Sequence, residues 1–217
     1  YPGPTWARED SQRALRATME EQAAFVVQSA AYAFIAGAEV YFHHQLYDDC
    51  GNQPADTDFP PHNGELCQGD FQCWGDAHGL YRNPVDGPCF RQHPQPNTPR
   101  PALRAFQTLA QVFGTTAFEP VSLEHRGEGG LETWLTFRRP RTGERILVVW
   151  NRSGGAVAVA IPPIADHATL YDITGTHGTI IPIDGAYRLT LPAATNQAYE
   201  HLPPSEHYAI GGAPYIL

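Results

Sequence analysis

The chain has 217 residues, 42% of them apolar, and carries a formal net charge of −9 without a single lysine. This apolar fraction can fill a hydrophobic core, which excludes a globally disordered chain. The negative charge argues against nucleic-acid binding, because phosphate contacts depend largely on cationic side chains. The longest apolar run near the start, residues 30–38, is too short to cross a bilayer. Because the first residue is Tyr1, we expect a processed or truncated N-terminus.

The first predicted element is a helix over residues 19–36. Thr18 and Glu21 have the spacing of a capping box, in which each residue satisfies the other's backbone N–H. Behind them, apolar residues recur at helical spacing, and Gly37 stands where a helix-ending glycine belongs.

Residues 40–47, with the sequence VYFHHQLY, are predicted to form a β-strand, because the run is aromatic and β-branched. A second helix is predicted over residues 100–113, with prolines in its first turn and Gly114 at its end. One apolar strand between two helices cannot form a sheet. The missing strands would come from another polypeptide or from the second half of this chain, or else the chain is a fragment.

A long polar loop, residues 48–99, separates these elements and contains all the cysteines: Cys50, Cys67, Cys73 and Cys89. An even number of cysteines in such a loop predicts two disulfides in an oxidising compartment. Three connectivities are possible, and the most local pairs Cys50 with Cys67 and Cys73 with Cys89. A zinc site is the competing interpretation, although paired C-x₂-C knuckles are missing. The loop's carboxylates could bind calcium, but without a calcium-loop sequence we interpret them as a solvated acidic surface.

The sequence pattern changes near residue 115, where short apolar segments begin to alternate with glycine-rich turns. Strands at such regular spacing predict an antiparallel β-sandwich. The predicted strands span residues 118–125, 131–139, 145–150, 156–161, 169–172, 178–182 and 186–191, with a last one within 207–217. The sequence therefore predicts a mixed α+β chain with one domain at residues 1–115 and a sandwich domain at residues 116–217.

Four runs in the first half together resemble the end of a clan A glycoside hydrolase. They lie at residues 20–25, 43–49, 79–82 and 99–106. Runs at residues 146–151, 168–172, 187–192 and 210–214 are similar to the β-sandwich that often follows the catalytic (β/α)₈ barrel in that family. The resemblance implies that residues 1–115 form the last βα units of a TIM barrel. The helices at 19–36 and 100–113 would then be its seventh and eighth helices, and residues 40–47 its eighth strand.

The resemblance also implies where the chemistry lies. The family's two catalytic carboxylates stand at the ends of the fourth and seventh strands, which would precede Tyr1. We therefore nominate no catalytic residue, cofactor or metal ligand in this chain, and expect the chain alone to be inactive.

Substrate contact is the contribution that remains, because barrel sites form at the C-terminal ends of the strands. Gln45, Tyr47 and Asp48 would lie on that face, and the rings of Trp6 and Trp74 could stack on sugars. For Tyr47 and Asp48, hydrogen bonds that cap the loop are an equally good interpretation. We interpret His43 and His44 as packing residues, one facing the barrel interior and the other the helices. Trp134 and Trp150 are likewise interpreted as core residues rather than sugar-binding platforms.

The function predicted from the sequence is thus the C-terminal portion of a secreted glycoside hydrolase that hydrolyses O-glycosidic bonds. Its expected partners are a carbohydrate substrate and the N-terminal part of the barrel, as a separate or missing chain. The alternative is a non-catalytic carbohydrate-binding or structural β-sandwich protein. A barrel pseudo-enzyme that serves only in assembly is a third possibility.

Overall fold

A computed structural model describes residues 17–48, 79–82, 95–196, 208 and 210–217. These residues form two α-helices, a short 3₁₀ turn at Glu128–Gly130 and eight β-strands. The helices are α1 (Met19–Ile35) and α2 (Pro101–Phe113). The strands are β1 (Glu119–Arg126), β2 (Glu132–Arg138), β3 (Arg145–Asn151), β4 (Val157–Ile161), β5 (Ala168–Tyr171), β6 (His177–Ile180), β7 (Tyr187–Leu191) and β8 (Tyr215–Ile216). The predicted mixed α+β character is confirmed.

Both predicted helices form, and their ends lie within one residue of the predicted ones. The Glu21 N–H donates to the Thr18 hydroxyl at 3.2 Å, and the Thr18 N–H donates to the Glu21 carboxylate at 2.8 Å, which completes the capping box. Gly37 follows α1 with a φ of 95°, a backbone conformation that favours glycine. Helix α2 begins at Pro101 and ends at Phe113, with Gly114 as its C-cap. Neither described helix is long and apolar enough to cross a membrane.

The strands form two antiparallel sheets. One has six strands in the order β1-β2-β3-β8-β5-β6, and the other consists of β4 and β7. The first three strands form two consecutive hairpins, and their order in the sheet follows from the short turns between them. Strand β8 lies between β3 and β5, so the end of the described chain joins two parts of the larger sheet.

The larger sheet is covered on both faces. Helices α1 and α2 pack on one face, where Leu135 and Phe137 are fully buried. Strands β4 and β7 pack on the other face, against Trp134 and Val149. Full burial of side chains of this size contributes roughly 1.5–3 kcal/mol each. Trp134 and Trp150 are 5% and 1% exposed, so their predicted role in the core is confirmed.

Helix α1 is also held to the second half of the chain by polar contacts. The Glu21 carboxylate accepts hydrogen bonds from Thr195 at 2.7 Å and from Asn196 at 3.2 Å. The buried Gln28 side chain donates to the Gly212 carbonyl and accepts from the Gly211 N–H, each at 3.0 Å. The predicted domain boundary at residue 115 stays a prediction, and across it α1 shares one core with the sheet.

The predicted strand at residues 40–47 does not form. Within the described part of the chain the segment is irregular, and its one bridge joins Tyr47 to Tyr81 in a parallel sense. The physical reason is that a β-strand is stabilised by backbone hydrogen bonds to a neighbouring strand. Here the neighbour is a short segment, residues 79–82, that reaches only the end of the run. A TIM-barrel end is thus a proposal and not an observed feature.

Candidate functional site

The candidate site lies where three segments meet, at residues 45–48, 79–82 and 98–100. The Leu80 N–H donates to the Gln45 carbonyl at 3.0 Å, and the Asp48 N–H donates to the Tyr81 carbonyl at 3.0 Å. On the other side, the Arg100 N–H donates to the Leu80 carbonyl at 2.8 Å. The middle segment therefore ties the end of the 40–48 segment to the start of α2.

A buried ion pair holds these segments together. The carboxylate of Asp48 pairs with the guanidinium of Arg100, and neither side chain is exposed to solvent. The same carboxylate accepts a hydrogen bond from the Gly79 N–H at 2.9 Å, and Arg100 also donates to the Gly79 carbonyl at 3.2 Å. Because two buried charges compensate each other only with good geometry and further hydrogen bonds, this arrangement is a structural lock. It matches the loop-capping interpretation of Asp48, while sugar contact by this residue stays a prediction.

Gly79 is required by the close approach of the chain at this lock. A Cβ atom at this position would lie 2.4 Å from the Asp48 nitrogen and 2.5 Å from the Tyr81 carbonyl oxygen. Both neighbours are backbone atoms that cannot move aside without breaking the hydrogen bonds just described. Any larger residue here would push the three segments apart.

Tyr47 and Gln45 offer the polar and aromatic surface next to the lock. Tyr47 is 39% exposed, and its ring centroid lies 5.5 Å from that of Tyr81. Gln45 is half-buried, and the NH₂ group of its side chain is itself buried, without a hydrogen-bond partner among the described residues. The exposed part of the Tyr47 ring is the kind of surface that stacks on a sugar ring, whereas the buried Gln45 NH₂ group does not face solvent. These contacts stay predictions.

The remaining predicted residues divide into two groups. Trp6, Trp74 and the four cysteines lie outside the described residues. His43 packs with its ring centroid 6.2 Å from that of Phe106 on α2, whereas His44 is exposed on the opposite side of the segment. Among the described residues, no group of three His, Cys, Asp or Glu side chains could hold a metal ion.

A second concave region, with a volume of about 720 Å³, lies on the face of the larger sheet beside β4 and β7. The Arg126 guanidinium lies 4.3 Å from the ring centroid of Trp134 and covers it. Arg126 also pairs with Glu124 at 2.6 Å, and this hydrogen bond holds the pKa of that carboxyl below its usual value. Because the ring is covered and these two charges satisfy each other, Trp134 is not a platform for sugar stacking.

Sequence reasoning missed Arg100 and Gly79. Arg100 occupies the N-cap position of α2, yet its side chain makes no capping hydrogen bond. Small polar residues are preferred at that position, so a large cation there is a signal that the side chain has another role. Its partner Asp48 is 52 residues away in the sequence, so local sequence patterns cannot predict this pair.

No protein-family model and no curated protein sequence matches this chain. Among solved structures, the fold is similar to that of a family 39 glycoside hydrolase from the gut symbiont Bacteroides cellulosilyticus WH2. The alignment covers 90% of this chain with a TM-score of 0.52 and 13% sequence identity. This chain spans 29% of the length of that protein. The comparison shows that the chain folds like part of a glycoside hydrolase.

Proposed function

We propose that this chain is the C-terminal portion of a secreted clan A glycoside hydrolase that hydrolyses O-glycosidic bonds. The observation that carries the proposal is the structural similarity to a family 39 enzyme over 90% of this chain. The runs at residues 43–49 and 99–106, which resemble the same clan, support it from the sequence. They include Asp48 and Arg100, the two members of the buried lock.

In this proposal the catalytic carboxylates belong to a part of the protein outside these residues. Glycosidases use a pair of carboxyl groups that flank the scissile bond, about 5–5.5 Å apart in retaining enzymes. Asp48 is a poor candidate, because the guanidinium of Arg100 and the Gly79 N–H already occupy its buried carboxylate. Glu21 is engaged in the helix cap and with Thr195.

The proposed contribution of this chain is to shape the substrate site. Gln45 and Tyr47 would supply an amide and an aromatic ring at one edge, held in place by the lock beneath them. Trp6 and Trp74 are proposed to stack on sugars on the basis of sequence alone. Secretion and two disulfides among the cysteines are part of the same proposal.

The test compares the complete natural gene product with this 217-residue chain on a panel of 4-nitrophenyl glycosides. We expect the complete protein to hydrolyse at least one member and the shorter chain to hydrolyse none. In the complete protein, Tyr47→Ala should raise KM several-fold with little change in thermal stability, because this ring is partly exposed. Its matched control is Tyr32→Ala, a similarly exposed tyrosine on α1, which should leave KM unchanged.

Absence of hydrolysis across the panel would overturn the proposal. The non-catalytic alternative makes a different forecast, namely that the shorter chain alone is retarded in gels containing a polysaccharide. Retardation of this chain, together with no hydrolysis by the complete protein, would favour that alternative.

A further inference from the structure

The sequence contains one acceptor motif for N-glycosylation, Asn151-Arg152-Ser153. In this modification the side-chain nitrogen of asparagine forms a bond to the anomeric carbon of a lipid-linked oligosaccharide. One amide proton and the lipid pyrophosphate leave. The reaction therefore needs an accessible Nδ2 atom and room for a bulky, hydrated sugar. Neither requirement is met at Asn151 in the folded chain.

The Asn151 side chain is enclosed by backbone groups. The residue ends strand β3 and is 0% exposed. Its Nδ2 atom donates to the Gly155 carbonyl at 2.6 Å, and the Ser153 and Pro192 carbonyls lie 3.4 Å from the same nitrogen. Its Oδ1 atom accepts from the Ser153 N–H at 2.8 Å. Both ends of the amide are thus in use, and a sugar on Nδ2 would need the space that these carbonyls fill.

Two distant segments close over this amide. The Gly212 N–H, before β8, donates to the Asn151 carbonyl at 2.8 Å. The Ala194 N–H, after β7, donates to the Ser153 carbonyl at 2.8 Å. Because both segments hold the turn at residues 152–155 from outside, rotation of the Asn151 side chain alone cannot bring its nitrogen to the surface.

We propose that glycosylation of Asn151 and folding of the β-sandwich exclude each other, so that the motif is a modification site of the unfolded chain only. A chain that folds first buries the acceptor nitrogen. A glycan that is added first keeps the amide from its carbonyl partners, and buried polar groups without partners are costly. The exclusion does not depend on the proposed glycosidase activity, because it follows from the enclosure of one side chain.

Stability variants of the complete natural gene product test the enclosure. Asn151→Asp replaces the donating NH₂ group by an oxygen that faces three carbonyls, and should lower the urea concentration at the unfolding midpoint by roughly 1 M. Ser153→Ala destroys the motif and keeps the Asn151 amide. It should shift the midpoint by less than about 0.3 M, because the lost hydroxyl bond to the Gly155 carbonyl is exposed. Equal midpoints for the two variants would overturn the proposal.

Secretion from a eukaryotic host tests the exclusion itself. The complete gene product is compared with its Ser153→Ala variant and with a double variant that also carries His167→Asn. The second change creates an acceptor motif in an exposed loop, where Thr169 completes it and the native His167 side chain is 64% exposed. Peptide mass mapping, before and after treatment with a peptide N-glycosidase, measures how much of each site carries a glycan.

We expect a glycan at position 167 of the double variant and none at Asn151 in secreted protein. Glycans on Asn151 should occur only in molecules that the cell retains and that a protease digests rapidly. Secreted protein that carries a glycan on Asn151 and resists protease as well as the Ser153→Ala variant would overturn the proposal. If both sites are empty, the host does not modify this part of the chain, and the urea comparison decides.

Discussion

Strand β2 and the run at residues 40–46 have similar sequence patterns but different structures, since β2 is a paired strand and the run is irregular. In β2, Leu135 and Phe137 are buried under the helices, and Trp134 is buried on the other face. In the run, only the side towards the helices is packed, and Phe42 on the other side is 87% exposed. Both segments are rich in aromatic and β-branched residues, so intrinsic preference does not separate them.

The two segments differ in how much of their backbone pairs with a neighbouring segment. Strand β2 pairs with β1 and β3 along its whole length. The run at 40–46 has a described neighbouring segment only at its end, where the Gln45 and Leu46 carbonyls accept hydrogen bonds from the segment at residues 79–82. A β-preference is largely the energy of packing on adjacent strands, so the same pattern stays irregular where the described part of the chain supplies no strand along most of its length.

The largest expected effect contrasts one phenylalanine from each region. Phe137→Ala should lower the free energy of unfolding by about 4 kcal/mol, because it leaves a cavity among buried rings. The Phe137 ring centroid lies 5.2 Å from that of Phe113 and 5.8 Å from that of Phe118. Phe42→Ala should change the same quantity by less than about 0.5 kcal/mol. Urea denaturation of both variants measures the contrast, and equal losses would mean that residues 40–46 are packed in solution.

The next largest effect tests the lock at the end of the run. Arg100→Met should cost about 3 kcal/mol, because it leaves the Asp48 carboxylate buried without its cation. Arg104→Met, at an exposed position on the same helix, is the matched control and should cost less than about 0.5 kcal/mol. Adding Asp48→Asn to the Arg100→Met chain should restore part of the loss, since a neutral amide is cheaper to bury. If Arg100→Met and Arg104→Met unfold at the same urea concentration, the pair does not hold the segments together.

Local chemistry allowed much of the fold to be predicted. Thr18 and Glu21 mark the start of α1, Gly114 marks the end of α2, and glycine-rich turns separate β1, β2 and β3. Each of these signals acts over a few residues. The candidate site was predicted only in part, because Gln45, Tyr47 and Asp48 were nominated without Arg100 or Gly79.

What could not be predicted depends on contacts between distant parts of the chain. Glu21 was recognised as a capping residue, but its bond to Thr195 spans 174 positions. The place of β8 between β3 and β5 likewise has no local signature. The strand at 40–47 was predicted wrongly for the same reason, since a strand depends on pairing with a distant segment, and the described segment at 79–82 reaches only the end of this run.

A smaller effect tests how firmly α1 is joined to the second half of the chain. Gln28→Leu should cost about 2 kcal/mol, because the Gly211 N–H and the Gly212 carbonyl lose their buried partner. Gln107→Leu, at an exposed site on α2, is the matched control and should be nearly neutral. The urea concentrations at the unfolding midpoints of the two variants measure this difference in stability. A neutral Gln28→Leu would show that water replaces the side chain, so that apolar packing and the Glu21 hydrogen bonds join α1 to the second half of the chain.

The smallest effect tests whether water is excluded from the interface between the two sheets. The exposed side of the run at 40–46 has no such covering among the described residues. Burial, assisted by the negative charge of Asp166, raises the pKa of the Tyr187 phenol, whose hydroxyl donates to the Ala165 carbonyl at 2.8 Å. The contribution of this group to stability is therefore complete below the ordinary phenol pKa of about 10. It declines as the pH rises further, because the unfolded chain ionises first. The difference in unfolding free energy between the parent and Tyr187→Phe should accordingly be constant from pH 8 to 9 and shrink towards pH 11. A difference that stays constant to pH 11 would mean that water reaches the phenol, and that the interface beside β7 is as open as the exposed side of Phe42.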